Sequence, residues 1–116
     1  MASKLERAQC EAAMRDGEFP PDVTASGPRV AVVLTQGWCP QWTMMSSWLE
    51  AAEAEAGARV WFLEYDREPF FEEFMAFKED VFGNRSVPYV RYYRDGKLAA
   101  QGNYLSRDGF VRNLTR

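Results

Sequence analysis

Residues 29–42 read RVAVVLTQGWCPQW, so a valine-rich run leads directly into a cysteine that is followed by a proline. A short, continuous apolar run suits a strand buried on both faces better than it suits a helix. Pro40 fits the first turn of a helix, because its missing N–H would have no partner there in any case. We therefore predict a buried strand over 29–35, a helix over 40–56, and Cys39 at their junction.

The segment that follows this helix predicts a second strand and a second helix. Residues 59–65 form another β-type run, and Asp66 after it is expected to cap the next helix. That helix carries an apolar stripe of four phenylalanines, which we interpret as core: Phe70, Phe71, Phe74 and Phe77.

The last third of the chain predicts a hairpin and a closing helix. Val87-Pro88 introduces a strand over 89–93, and Asp95-Gly96 predicts a tight turn into a strand that ends near Gln101. Ser106 is expected to cap a final helix that ends near Thr115.

The N-terminal region adds a helix before the first strand. Ser3 and Glu6 have the spacing of a capping box, which predicts a helix to about Arg15, and residues 19–28 are expected to form a proline-rich loop. The resulting order predicts an α/β fold with a central mixed sheet of about four strands flanked by helices, plus an extra N-terminal helix. We expect one compact domain, in which residues 1–28 are the N-terminal helix and loop and residues 29–116 are the main body.

Composition excludes several classes of function. The chain has 116 residues, 47% of them hydrophobic, and a net charge of −3, which disfavours nucleic acid as a partner. A charged N-terminus and the absence of a long apolar run predict no secretory signal and no membrane partner, so we expect a cytoplasmic protein. The most basic stretch is interpreted as a solvated strand surface: Arg85, Arg91, Arg94 and Lys97.

The chain has no histidine, which excludes a Ser-His-Asp or Cys-His catalytic group and a histidine zinc site. We expect no metal and no cofactor. Cys39 is then the plausible reactive group, because the free N–H groups and the dipole at a helix start stabilise a thiolate. A buried, inert thiol is the alternative. Cys10 is interpreted as a small buried hydrophobe, with a role as resolving thiol for Cys39 as the alternative.

The order of elements and the motif Trp38-Cys39-Pro40 resemble the thioredoxin family from about Arg29 to Leu114. The family's proline opposite the reactive sulfur is cis, a role that the resemblance implies for Pro88. The resemblance also implies that Cys39 is the catalytic residue. It assigns substrate binding to five residues: Trp38, Pro40, Trp42, Val87 and Pro88. Further matching positions are Asp66, Pro69, Ser86, Tyr93, Gly96 and Gly102.

Departures from the family pattern narrow the chemistry. Trp42 stands where a dithiol thioredoxin has its second cysteine, so an outside thiol must resolve any mixed disulfide. Val33 stands in place of the buried carboxylate that many thioredoxins carry. Gly102-Asn103 replaces the Gly-Gly pair of glutaredoxins, and Thr35 lies four residues before Cys39 rather than the three typical of peroxiredoxins.

Two functions follow from the resemblance. In the first, Cys39 performs monothiol thiol-disulfide exchange on a protein or small-molecule disulfide, and glutathione or another external thiol resolves the product. In the second, the domain is a redox-inactive binding module that holds an extended partner segment at the surface formed by Trp38, Trp42 and Pro88. Trp38 and Trp42 are interpreted either as walls of the site or as core. We expect a monomer or a weak homodimer.

Overall fold

The computed structural model describes residues 1–116 and contains one sheet covered by helices on both faces. The strands are β1 (Ser3–Lys4), β2 (Arg29–Thr35), β3 (Arg59–Glu64), β4 (Tyr89–Arg94) and β5 (Lys97–Asn103). The helices are α1 (Arg7–Asp16), α2 (Pro21–Thr24), α3 (Pro40–Ala56), α4 (Phe71–Asp80) and α5 (Arg107–Thr115), with a 3-10 turn at Tyr65–Arg67. No helix combines the length and apolar character needed to cross a membrane.

The strands form a mixed sheet in the order β1-β3-β2-β4-β5. β1 and β2 run parallel to β3, while β4 is antiparallel to both β2 and β5. This confirms the predicted α/β class, and the two-residue β1 brings the strand count to five. β2 lies at the centre because every residue from Val30 to Thr35 is buried, as expected of an apolar run covered on both faces.

Alternation along β2 divides the core into two clusters, one on each face of the sheet. The first cluster includes Val30, Val32 and Leu34 and lies under α1, α2 and α4. The second includes Ala31 and Val33 and lies under α3 and α5. Successive strand side chains point to opposite faces, so a single strand supplies both clusters.

The predicted capping box at the N-terminus is wrong in position. Ser3 and Lys4 form β1, paired with Trp61 and Phe62 of β3. The helix starts later, with Glu6 as its N-cap residue and with Gln9 completing a capping box. Pairing with the open edge of β3 satisfies the backbone at Ser3 and Lys4, which a helix starting there would not.

Two further local predictions need correction. The segment predicted as a loop over 19–28 contains the short helix α2, which begins at Pro21, where a proline costs no hydrogen bond. α4 has Phe70 and not Asp66 as its N-cap residue, because the 3-10 turn intervenes. The phenylalanine stripe is nevertheless core, since three of the four rings are buried and the fourth packs against them: Phe70, Phe74, Phe77 and Phe71.

The C-terminal half follows the prediction closely. Asp95 and Gly96 both have positive φ, at 52° and 82°, as the tight turn between β4 and β5 requires. Ser106 is the N-cap residue of α5, and its side chain accepts a hydrogen bond from the Gly109 N–H. The interpretation of Arg91 as solvated is wrong.

Arg91 is buried on β4 because several polar groups satisfy its guanidinium. It donates to Glu18 Oε1 at 2.8 Å, to the Tyr93 hydroxyl at 2.8 Å and to the Tyr89 hydroxyl at 2.9 Å. Its planar group lies 3.8 Å from the centre of the Phe82 ring. A buried arginine with these partners links the segment after α1 to the sheet.

Candidate functional site around Cys39

Cys39 is the N-cap residue of α3, and Pro40 is the first residue of the helix proper. Pro40 has no N–H, and the N–H groups of Gln41 and Trp42 lie in the first turn, where a helix has no acceptor of its own. The Cys39 sulfur is 3.8 Å from the carbonyl oxygen of Val87. The arrangement brings one thiol together with a helix N-terminus and a facing carbonyl.

The loop before Cys39 is held by hydrogen bonds from the neighbouring strand end. The Gly37 N–H donates to Asp66 Oδ1 at 2.8 Å, and Gln36 Nε2 donates to the Tyr65 hydroxyl at 3.2 Å. Trp38 Nε1 donates to Gln36 Oε1. Asp66 therefore supports the cysteine loop, a role that replaces the predicted helix cap.

Trp38 and Trp42 have different surroundings although only four positions separate them. Trp38 is 66% exposed, whereas Trp42 is 6% exposed and packs against Phe62, with 5.7 Å between the ring centres. Trp42 Nε1 donates to Glu64 Oε2 at 2.8 Å, and the Arg67 guanidinium is 3.5 Å from the other oxygen of that carboxylate. Trp38 thus lies at the surface next to Cys39 in the chain, and Trp42 is part of the core.

The loop that carries Val87 and Pro88 is fixed from behind by side chains. Asn103 Nδ2 donates to the carbonyl oxygens of Ser86 and Pro88, both at 3.1 Å. Lys78 Nζ donates to the Ser86 carbonyl oxygen at 2.9 Å. The Val87–Pro88 peptide bond is cis, and Pro88 is buried while Val87 is partly exposed.

Lys78 was missed by the sequence analysis and is fully buried. Its Nζ also donates to the Asn84 carbonyl oxygen at 2.9 Å. Desolvation lowers its pKa from 10.5 to about 8, against a smaller opposing effect of the Glu79 carboxylate. A signal was available, since Lys78 follows Phe74 by four residues and so shares the buried stripe of α4.

Cys10 is remote from this site. It belongs to the first cluster, whereas Cys39 belongs to the second, so the sheet separates the two thiols. Burial raises the pKa of Cys10 to about 12, with further contributions from the Glu68 and Glu11 carboxylates. The structure therefore agrees with the buried-hydrophobe interpretation of Cys10 and does not place it as a resolving thiol.

The sequence matches no protein-family model and none of the curated proteins compared with it. Solved structures do match. A mutant thioredoxin from Halobacterium salinarum superposes with a TM-score of 0.71 and 18% identity, covering 97% of this chain and 87% of that chain. Oxidised thioredoxin O2 from Arabidopsis thaliana gives a TM-score of 0.69 and 11% identity, with 99% and 95% covered.

Oxidised thioredoxin from Plasmodium falciparum gives a TM-score of 0.66 and 10% identity over the whole of both chains. Similarity at these identities concerns the path of the backbone, and it agrees with the sheet order and with the helices on both faces. The chain has a thioredoxin-like fold.

Proposed function

We propose that this chain performs monothiol thiol-disulfide exchange through Cys39. One observation carries the proposal: the Cys39 sulfur lies at the start of the 17-residue helix α3, 3.8 Å from the Val87 carbonyl oxygen in the loop before Pro88. The unpaired N–H groups and the dipole at the helix start favour a thiolate, which is the form of cysteine that attacks disulfides.

The reaction has two steps, each of which exchanges one S–S bond for another. The Cys39 thiolate attacks one sulfur of the substrate disulfide, so that a mixed disulfide forms and the other substrate sulfur leaves as a thiolate. An external thiolate then attacks the mixed disulfide, forms a disulfide with the substrate sulfur and releases Cys39 as a thiolate. Because Trp42 occupies the position of a second cysteine, the second step belongs to an outside thiol such as glutathione.

The substrate surface is formed by the exposed indole of Trp38, by Pro40 and by the loop at Val87 and Pro88. Trp38 supplies apolar contact area next to Cys39, and an extended segment laid along Val87 would pair with the backbone there. Trp42 is buried against the Phe62 ring and belongs to the core rather than to this surface. We place the activity in the cytoplasm, where small thiols are abundant and disulfides are reduced.

The test uses the Cys10→Ser variant, in which Cys39 is the remaining thiol. This variant is incubated with dithiodipyridine, and the released thione is followed by absorbance, after which glutathione is added to resolve the adduct. We expect rapid release of the thione from the Cys10→Ser variant and complete removal of the adduct by glutathione. The Cys39→Ser variant should release no thione while having the same thermal stability as the Cys10→Ser variant. Thione release from the Cys10→Ser variant that is no faster than release from the Cys39→Ser variant would contradict the proposal.

A second function, the redox-inactive binding module, is favoured by the exposure of the side chains. Cys39 is 4% exposed, whereas the adjacent Trp38 is 66% exposed. If binding without chemistry is the function, Trp38→Ala should release a retained partner and Cys39→Ser should not. Trp38 is the better probe of the two tryptophans, because truncation of the buried Trp42 would also damage the core.

A further inference from the structure

Thr35 ends β2 and is fully buried, yet its hydroxyl has no hydrogen-bond partner in the chain. Leaving a buried hydroxyl without a partner is unfavourable, and such groups are uncommon in folded proteins. The other two buried polar atoms without partners are Arg29 Nε, at the far end of β2, and the Tyr92 hydroxyl, in the middle of β4. Thr35 alone lies next to the cysteine loop.

The Thr35 side chain faces the same side of the sheet as Cys39. Ala31 and Val33 of β2 pack in the second cluster together with Cys39, and the residues between them pack in the first. Alternation along the strand therefore assigns Thr35 to the second face.

The neighbours of Thr35 across the sheet are themselves parts of the site. On one side Thr35 is in register with Glu64, whose Oε2 is already taken by Trp42 Nε1. On the other side the last registered pair is Leu34 with Tyr89, so the next residue facing Thr35 is Pro88. The free hydroxyl thus lies beneath the first turn of α3, between Glu64 and the loop of Val87 and Pro88.

The contacts of Cys39 explain what this hydroxyl would do. As a thiol, Cys39 directs its S–H toward the Val87 carbonyl oxygen. Once the sulfur is ionised it has no proton to donate, and the partial negative charge of that oxygen repels it. The thiolate then needs donors, and the helix start lacks one N–H because of Pro40.

We propose that the Thr35 hydroxyl donates a hydrogen bond to the Cys39 thiolate when the sulfur turns away from the Val87 carbonyl. The proposal rests on the exchange function proposed above and names the group that stabilises its nucleophile. The hydroxyl keeps its proton throughout, so the two exchange steps are unchanged.

Thr35→Val tests the proposal, because valine keeps the shape of threonine and removes the hydroxyl. Loss of one hydrogen bond to a charged sulfur should move the midpoint of the pH-rate profile upward by about one pH unit. The more basic thiolate is also a better nucleophile, with a Brønsted coefficient of about 0.4–0.5, so at pH values below both midpoints the rate should fall only roughly threefold. The plateau rate at alkaline pH should rise by a similar factor.

The reaction of Cys39 with dithiodipyridine is measured from about pH 5 to 10, a range that brackets the ordinary thiol pKa, in the Cys10→Ser background. The proteins compared are the parent, Thr35→Val and Thr35→Ser. Thr24→Val serves as the matched control, since Thr24 is the other buried threonine and lies in α2. We expect crossing profiles for Thr35→Val, recovery of the original profile by Thr35→Ser, and no change for Thr24→Val.

Stability provides the second measurement. Removal of an unpartnered buried hydroxyl should leave the urea midpoint of Thr35→Val equal to or above that of the parent. Identical pH profiles for the parent and the Thr35→Val variant would overturn the inference while leaving the exchange function standing. A uniform decrease at every pH would also overturn it, since that pattern reports reduced access. An unreactive parent protein would instead overturn the proposed function itself.

Discussion

Cys10 and Cys39 are both buried, but the two faces of the sheet give them different surroundings. Cys10 is 0% exposed in the middle of α1 and packs in the first cluster, where burial raises its pKa to about 12. Cys39 is 4% exposed at the start of α3, between the exposed side chains of Trp38 and Pro40. One thiol is enclosed by core on every side, and the other lies just under the surface.

Both residues are cysteines, so their position relative to the ends of secondary-structure elements determines which thiol can react. Cys39 follows the carboxyl end of the central strand β2, the part of an open α/β sheet where ligands commonly bind. Cys10 lies within a helix whose apolar face is packed on the sheet, so no substrate sulfur can approach it.

The largest expected effect is the difference in labelling between the two cysteines. A pKa of about 12 leaves the Cys10 thiolate fraction at neutral pH roughly 1000-fold below that of a thiol with the ordinary value of 9.0. Iodoacetamide treatment of the native wild-type protein, followed by peptide mapping, should therefore modify Cys39 alone. In urea both cysteines should be modified. Preferential modification of Cys10 in the native protein would break the contrast.

Substitution of the two tryptophans compares a core position with a surface position near Cys39. Trp42→Ala removes a large buried ring and its hydrogen bond to Glu64, which should lower the free energy of unfolding by about 3–5 kcal/mol. Trp38→Ala, at an exposed position, should change it by less than about 0.5 kcal/mol. Urea denaturation of both variants checks the difference.

Trp42→Phe refines this measurement. It keeps most of the ring and removes the Nε1 donor, so its loss of stability should be smaller than that of Trp42→Ala. Equal losses in Trp38→Ala and Trp42→Ala would show that Trp42 is not the core residue of this pair.

The fold was predictable from the sequence because its main signals are local. The apolar run before Cys39, the helix-forming segment after it and the turn at Asp95 and Gly96 each specify their structure through neighbouring residues. The order of these elements then leaves few ways to build the sheet. The position of Cys39 at a strand-to-helix junction followed from the same local signals.

The local predictions that were wrong concern residues whose structure depends on partners distant in the chain. Ser3 pairs with Trp61 on an open strand edge, and no local pattern reports that edge. Aspartate is a common N-cap residue of helices, but the Asp66 carboxylate instead accepts a hydrogen bond from the Gly37 N–H, 29 positions away in the chain. Arg91 is buried because Glu18 reaches it from the N-terminal segment.

Lys78 provides the last and smallest prediction, because its titration has the opposite sign to that of Cys10. Burial lowers the pKa of Lys78 to about 8, whereas the same lysine in the unfolded chain binds its proton up to about 10.5. Between these values the unfolded state binds more protons, so this group makes stability rise with pH. Cys10 does the reverse, since its raised pKa makes stability fall from about pH 9 to 12.

The two contributions are separated in the Cys10→Ser background. The stability of this parent relative to its Lys78→Met derivative should rise by about 2 kcal/mol from about pH 8 to 9.5, because the parent gains stability there and the methionine variant does not. Urea denaturation at several pH values measures the difference, and Lys97→Met, the same change at an exposed lysine of β5, is the matched control. A difference that stays constant with pH would mean that Lys78 keeps its charge in the folded protein, held by the Ser86 and Asn84 carbonyl oxygens.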